Sequence, residues 1–401
     1  MLFSSDVPLG PADYVFTGVG SVPITFAFFY PSALPHAVLQ KSLDATLQAF
    51  PSVSGKLVRT GSQDYAFRSL ENGLPIEVSQ SNESFAESRR IDRFIKPVET
   101  REDLPLSRIR LTRTRDGSVL AASISHALVD GFSYFHFFSS WARITRGDRF
   151  VPPSLNREML GTATDAHRVP LSPETLLELC GLHLSGRRGP SASTSLVEER
   201  IPIAGGQLRA MLQEARADQP ETAFSENDVV TAWLWRRFLP TWLGDSSDSD
   251  TYMSCPVDCR RVYRVLPRNY FGCALCFASA SASLADLREA ALGDIARRIH
   301  DSVRNVGNDF AFRSWTALEH FRHQHGLSEM ERIHLKHPER GMIVTNLTRM
   351  PLGELDFGEG PPADLVFHSD VTGSAALLPA KEGLTAVVLH PEAAVVGGRA
   401  P

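Results

Sequence analysis

Cysteine is scarce in this 401-residue chain: there are five, an odd number. So low a count argues against a disulfide framework and fits a reducing compartment. Neither charge dominates, since the net formal charge is -5 and lysines and arginines are scattered among acidic residues. No nucleic acid and no membrane surface is therefore expected as a partner. A run of about 18 apolar residues, the length needed to span a bilayer, is also missing. The nearest approach, residues 15–29, is interrupted by Gly18, Gly20 and Pro23. The N-terminus MLFSSDVPLGPADYVF lacks a basic region followed by a sustained apolar stretch, so it does not read as a signal or transit peptide. A soluble, cytoplasmic monomer is the expectation.

Several chemistries lack their signatures. There is no GxSxG, which disfavours a nucleophile-elbow hydrolase, and no GxGxxG or GxxxxGK[ST], which removes the obvious dinucleotide and nucleotide-phosphate readings. Cys255, Cys259, Cys273 and Cys276 imitate paired zinc ligands, but the first spacing has three intervening residues. Cys273 and Cys276 also lie in the apolar run YFGCALCFASA, where cysteine behaves as a small buried hydrophobe. No metal is expected. The polar run GDSSDSD from Gly244 reads as a surface loop, and the histidines at 320, 323, 325, 334 and 337 read as solvated helix surface.

What is present is enough apolar residue, 43%, to fill two substantial cores. Helical spacing of Val38, Leu39, Leu43 and Leu47 predicts a helix over residues 34–50, stopped by Pro51. Strands are expected at 56–59, 66–68, 76–78 and 107–112. Asp116-Gly117 is a turn signal, and the apolar run after it, residues 117–125, reads as a buried strand. An aromatic-rich helix follows at 132–145. Prolines at 152, 153, 170, 173 and 190 and the segment SGRRGPSASTS mark a crossover. The second half resumes with a strand at 197–203, a helix at 205–216, and a helix capped by Ser225 with Asp228 three residues on. Further strands are expected at 252–257, 271–280, 341–346, 364–369, 375–379 and 383–390. The fold class is α+β: two mixed-sheet domains with helices, at residues 1–165 and 197–401, joined by the crossover at 166–196.

His126 lies where the buried strand ends and a helix is about to start, a place that commonly presents side chains to a pocket. Asp130 follows four positions later. A histidine near its ordinary pKa can take a proton, and a nearby carboxylate can orient it.

Ordered segments along most of the chain resemble the BAHD acyltransferase family. FPSVSGKL at residues 50–57 resembles its early helix-to-strand segment, and SHALVDG at 125–131 matches its HxxxDG motif. SENDVVTAWLWR at 225–236, PVDCRR at 256–261 and LPRNYFGC at 266–273 are similar to segments of its second domain. ELDFGEGPP at 354–362 resembles its DFGWG motif, and GLTAVVLHPE its closing strand. The resemblance implies two similarly folded domains with a substrate channel between them and the motif histidine at its middle. It implies acyl transfer from acyl-CoA, a co-substrate rather than a tightly bound cofactor, to a hydroxyl or amine of a small natural-product-like acceptor. His126 would be the general base and Thr345 a stabiliser of the developing oxyanion. Asp130 would pair structurally with Arg260, and Gly131 would keep the channel clear beside the histidine. Asp356, Phe357, Gly358 and Gly360 would shape the fold and the CoA approach.

Three positions depart from the family pattern: Glu359 and Leu347 where tryptophan is common, and Cys273 where asparagine is common. These departures leave open a carrier-bound acyl transfer, a condensation or an intramolecular cyclisation on the same fold. A non-catalytic small-molecule binder is a further alternative.

Overall fold

Apolar and β-branched runs bounded by turns form most of the strands. In the computed structural model, which describes residues 6–18, 21–160, 172, 175, 177–178, 180–184, 196–244, 250–369 and 371–391, they run in chain order as follows. The first half holds β1 (Val7–Pro8), β2 (Pro23–Tyr30), β3 (Gly55–Arg59), β4 (Tyr65–Ser69), β5 (Ile76–Gln80), β6 (Ser107–Thr114) and β7 (Gly117–Ser125). Next come β8 (His183–Leu184), β9 (Leu196–Ile203), β10 (Asp250–Asp258), β11 (Leu275–Ser283) and β12 (Ile333–His334). The last are β13 (Gly341–Asn346), β14 (Asp364–His368), β15 (Ser374–Pro379) and β16 (Leu384–Pro391). The helices used below are α1 (His36–Leu47), α2 (Ile91–Phe94), α3 (Gly131–Arg146), α4 (Gly205–Asp218) and α5 (Glu226–Leu243).

Two mixed sheets carry the architecture, the α+β arrangement expected. One has five strands in the order β14-β2-β7-β6-β5, and the other six in the order β11-β10-β13-β15-β16-β9. Most neighbours are antiparallel, while β5–β6, β10–β13 and β13–β15 run parallel. The halves are interlocked, because β14, from late in the chain, pairs with β2 from Asp364 opposite Phe29 to His368 opposite Thr25. A single apolar cluster accordingly runs from Leu9 through Trp141 and Trp235 to Val388.

The apolar residues 15–29 divide between a 3-10 turn, Asp13–Phe16, and β2, an inner strand of the five-stranded sheet. Among the described residues no helix is long and apolar enough to cross a membrane. The expected strand at 271–280 begins only at Leu275. The physical reason is that the four preceding amides are taken by other partners: Phe271 by the Ser154 carbonyl, Gly272 by the Ser133 hydroxyl, Cys273 by Asp13 and Ala274 by Asp130. His334 and His337 do not lie on a solvated helix. His334 is in β12 opposite His183, and the His337 ring stacks on Tyr252 with centroids 4.9 Å apart. The polar loop after Gly244 and most of the expected crossover lie outside the described residues.

Candidate active site

Strand β7 is buried along nearly its whole length and delivers the chain to His126. A tight turn follows, in which the Leu128 and Val129 amides donate to the Ser125 carbonyl and Ala127 donates to the Ser125 hydroxyl. Ala127, Leu128 and Val129 are fully buried, so they anchor the turn while the imidazole stays half-buried. Its ring lies flat against Phe16, with centroids 3.8 Å apart and planes 10° from parallel. Nδ1 is buried without a regular hydrogen-bond partner. Burial pushes the imidazole down to about 4, against the opposing pull of the Asp130 charge.

Asp130 caps α3 and accepts from the Ser133 amide at 2.8 Å. It is fully buried, and Arg260 meets it at two points, Nη1 to Oδ2 at 2.7 Å and Nη2 to Oδ1 at 3.0 Å. Burial alone would raise the carboxyl, but the Arg260 guanidinium, with the Ser133 and Ala274 amides, holds it below the ordinary carboxylate value. Every guanidinium nitrogen is used: Nε donates to the Tyr270 carbonyl, Nη1 also to Asp258, and Nη2 also to Ser133 Oγ and the Gly272 carbonyl. With all its oxygens turned to Arg260 and to amides, this carboxylate is committed to structure.

Gly131 opens α3 beside that pair. A Cβ built there would find Leu347 Cδ2 at 3.8 Å and nothing nearer, so the end of β13 comes up against the histidine motif. The Leu347 amide extends the ladder by donating to the Leu377 carbonyl at 2.8 Å. Thr345, half-buried on β13, shares the Leu347 face because side chains two apart point the same way. Asn346 faces the other side and accepts from Thr348 while donating to Asn227 of α5 at 3.0 Å.

The residues of DFGEG form a compact turn away from this point. Asp356 Oδ1 accepts from the amides of Gly358 and Gly360, at 2.8 and 2.9 Å. Both glycines have positive φ, 103° and 89°, a conformation that disfavours any side chain. Phe357 is buried edge-on against Trp141 of α3, centroids 4.8 Å apart, and the Asp356 carbonyl accepts from Arg146 of the same helix. The turn thus pins the late chain to α3. Glu359 is exposed, which is why a carboxylate is tolerated at that position.

Three residues of this region carried no local signal: Phe16, and the buried pair of Asp13 with Arg157. They come from segments with no chemical motif, and only the fold brings them to the histidine. Among the described residues no group of three histidine, cysteine or carboxylate side chains is placed to hold a metal. Cys273 and Cys276 are buried, and that burial pushes their thiols well above the ordinary range.

Comparison with known proteins gives one consistent picture. A model of the Transferase family matches residues 9–396. A hydroxycinnamoyltransferase of Narcissus pseudonarcissus is 27% identical over 381 residues, covering 86% of this chain and 82% of that protein. Anthranilate N-benzoyltransferase protein 1 of Dianthus caryophyllus is 25% identical over 378 residues, covering 86% and 80%. Among solved structures, F. graminearum TRI101 complexed with coenzyme A and T-2 mycotoxin superposes with a TM-score of 0.80 at 13% identity, covering 98% of this chain and 96% of that one. At that identity the likeness speaks for the fold.

Proposed function

The chain belongs to the Transferase family, the BAHD acyltransferases, and from that membership we propose that His126 is the general base that moves an acyl group from acyl-CoA to a hydroxyl or amine of a small natural-product-like acceptor. The observation that carries this reading is the imidazole itself, half-buried at a strand end, stacked on Phe16 and driven down to about 4 by burial. It is therefore unprotonated at neutral pH and ready to accept. With Nδ1 buried, Nε2 is the ring nitrogen assigned to the acceptor's proton.

The acceptor heteroatom attacks the thioester carbonyl as His126 takes its proton, and a tetrahedral intermediate forms. Collapse breaks the carbon–sulfur bond, and the imidazolium returns the proton to the departing CoA thiolate. Burial makes that imidazolium short-lived, which favours the return step. Thr345, on the strand face that meets Gly131, is the group we assign to the developing oxyanion. Asp130 and Arg260 hold the turn that carries the base and take no proton. Gly131 leaves room beside it, and Asp356, Phe357, Gly358 and Gly360 fasten the late chain to α3. The five cysteines, all buried and free of disulfides, suit work in the reducing cytoplasm.

The test incubates the purified protein with a panel of acyl-CoA thioesters against alcohol and amine acceptors, reading free thiol and acylated product together. Stoichiometric thiol and ester or amide support the reading and decide between O- and N-acylation. Turnover of a carrier-linked acyl group with no release from any CoA thioester would overturn it.

A further inference from the structure

A second buried ion pair, Asp13 with Arg157, also meets the histidine turn. Asp13 is fully inaccessible, and its Oδ2 accepts from Arg157 Nη1 and from the Gly10 amide at 2.7 Å. Its Oδ1 accepts from the Cys273 amide at 3.1 Å. Arg157, also buried, sends Nη2 to the Leu128 carbonyl at 3.0 Å, and its guanidinium lies over the Phe67 ring at 4.8 Å. Leu128 is the middle residue of the stretch from His126 to Asp130. Asp13 opens the 3-10 turn that ends in Phe16, the residue stacked on His126.

Burying two charges costs free energy that an apolar pair of the same shape would not incur, so the gain from such a pair is chiefly geometric. Here the geometry converges on one place. The consecutive amides of Cys273 and Ala274 donate to Asp13 and to Asp130 respectively, so one short piece of backbone touches both pairs. Residues 272–274 are therefore held by two ion pairs. Gly272 is bare at the crossing, since a Cβ there would lie 2.8 Å from Arg157 Nη1.

We propose that Asp13 and Arg157 are positioning residues for His126, holding Phe16 flat against the imidazole and the Leu128 carbonyl in place so that the ring keeps one plane. Asp130 and Arg260 fix the helix side of the turn, and Asp13 and Arg157 fix the ring side. The pair touches neither substrate nor reacting atoms and acts through Phe16 and the turn. This rests on His126 being the base.

The experiment compares Phe16→Leu, Asp13→Asn and the charge-free double variant Asp13→Asn, Arg157→Met with wild type, each assayed below its own melting transition. Phe16→Leu leaves both ion pairs intact and keeps the test open if the charge variants fold poorly. The readouts are kcat, the two KM values and the titration of the His126 ring followed by NMR. In Phe16→Leu kcat is expected to fall about tenfold, with KM values within about twofold, because small misplacements of a reacting group act on turnover. The His126 midpoint is expected to rise from about 4 toward the ordinary 6.5 in Phe16→Leu and in the charge variants. Wild-type kcat and an unmoved titration in folded Phe16→Leu and Asp13→Asn would overturn the proposal. Full turnover in His126→Ala would instead sink the assignment of the base, and with it the premise of the proposal.

Discussion

Arg260 closes on Asp130 at two points, 2.7 and 3.0 Å, joining the N-cap of α3 to the 3-10 turn Cys259–Arg261 that follows β10. The turn that carries His126 runs directly into this pair, since Asp130 follows it and caps α3. The pair divides a motif with two ionisable members into an imidazole with no regular partner at Nδ1 and a carboxylate fixed by an arginine.

Breaking that pair from one side should cost more than removing it whole. Arg260→Met leaves the Asp130 charge buried and unpaired, and an unfolding penalty of about 3–5 kcal/mol is expected. Asp130→Asn with Arg260→Met should recover much of it, because no lone charge remains. Chemical denaturation of the two variants and wild type reads the difference. Equal stability of single and double variants would show that the pair is not what holds the turn.

Acid should act on this protein through its depressed imidazoles. His126 stands at about 4 in the fold against 6.5 in the unfolded chain, so between those values the unfolded state binds more protons. The stability that depends on neutral His126 is fully present above 6.5 and is lost as pH falls through the folded value near 4. His183 and His334, each also driven to about 4 by burial, work in the same direction. Melting temperature measured from pH 7 to pH 4 should fall across that window, with a smaller slope in His126→Ala. The same value sets the activity limb: kcat/KM should hold down to about pH 5 rather than halving near 6.5.

The DFGEG turn should behave as a structural clasp. Phe357→Ala removes a buried ring packed on Trp141, with an expected loss of about 3–5 kcal/mol. Asp356→Ala orphans the amides of Gly358 and Gly360 and should also lower the melting temperature. In folded protein the KM for acyl-CoA should stay near wild type in both. A KM raised tenfold at unchanged stability would assign the turn to the donor site instead.

Local patterns made much of the fold legible. The Asp116-Gly117 turn and the apolar run after it announce β7, and Ser225 with Asp228 announces α5, whose two reciprocal cap bonds are present. These features are written within a few residues of one another, so spacing alone reveals them. Strand β2 is hidden, because Gly18, Gly20 and Pro23 break its apolar stretch and make it look like an interrupted membrane span. The late start of β11 was hidden for another reason: four amides are spent on Ser154, Ser133, Asp13 and Asp130, partners 117 to 260 positions away. The same distance in sequence conceals Asp13, Arg157 and Phe16. Periodicity carries no information about which buried charge will meet which, and the ring stacked on His126 comes from a segment 110 positions earlier.

The most direct test of the account removes the imidazole and nothing else. His126 has no regular hydrogen bond at Nδ1, so His126→Ala should fold with a melting temperature near that of wild type. CoA release by wild type and by this variant is then measured with the same acyl-CoA and acceptor at pH 7.5. If His126 is the general base, the variant's kcat falls by about 10²–10⁴. Equal rates of CoA release by the two proteins would contradict it.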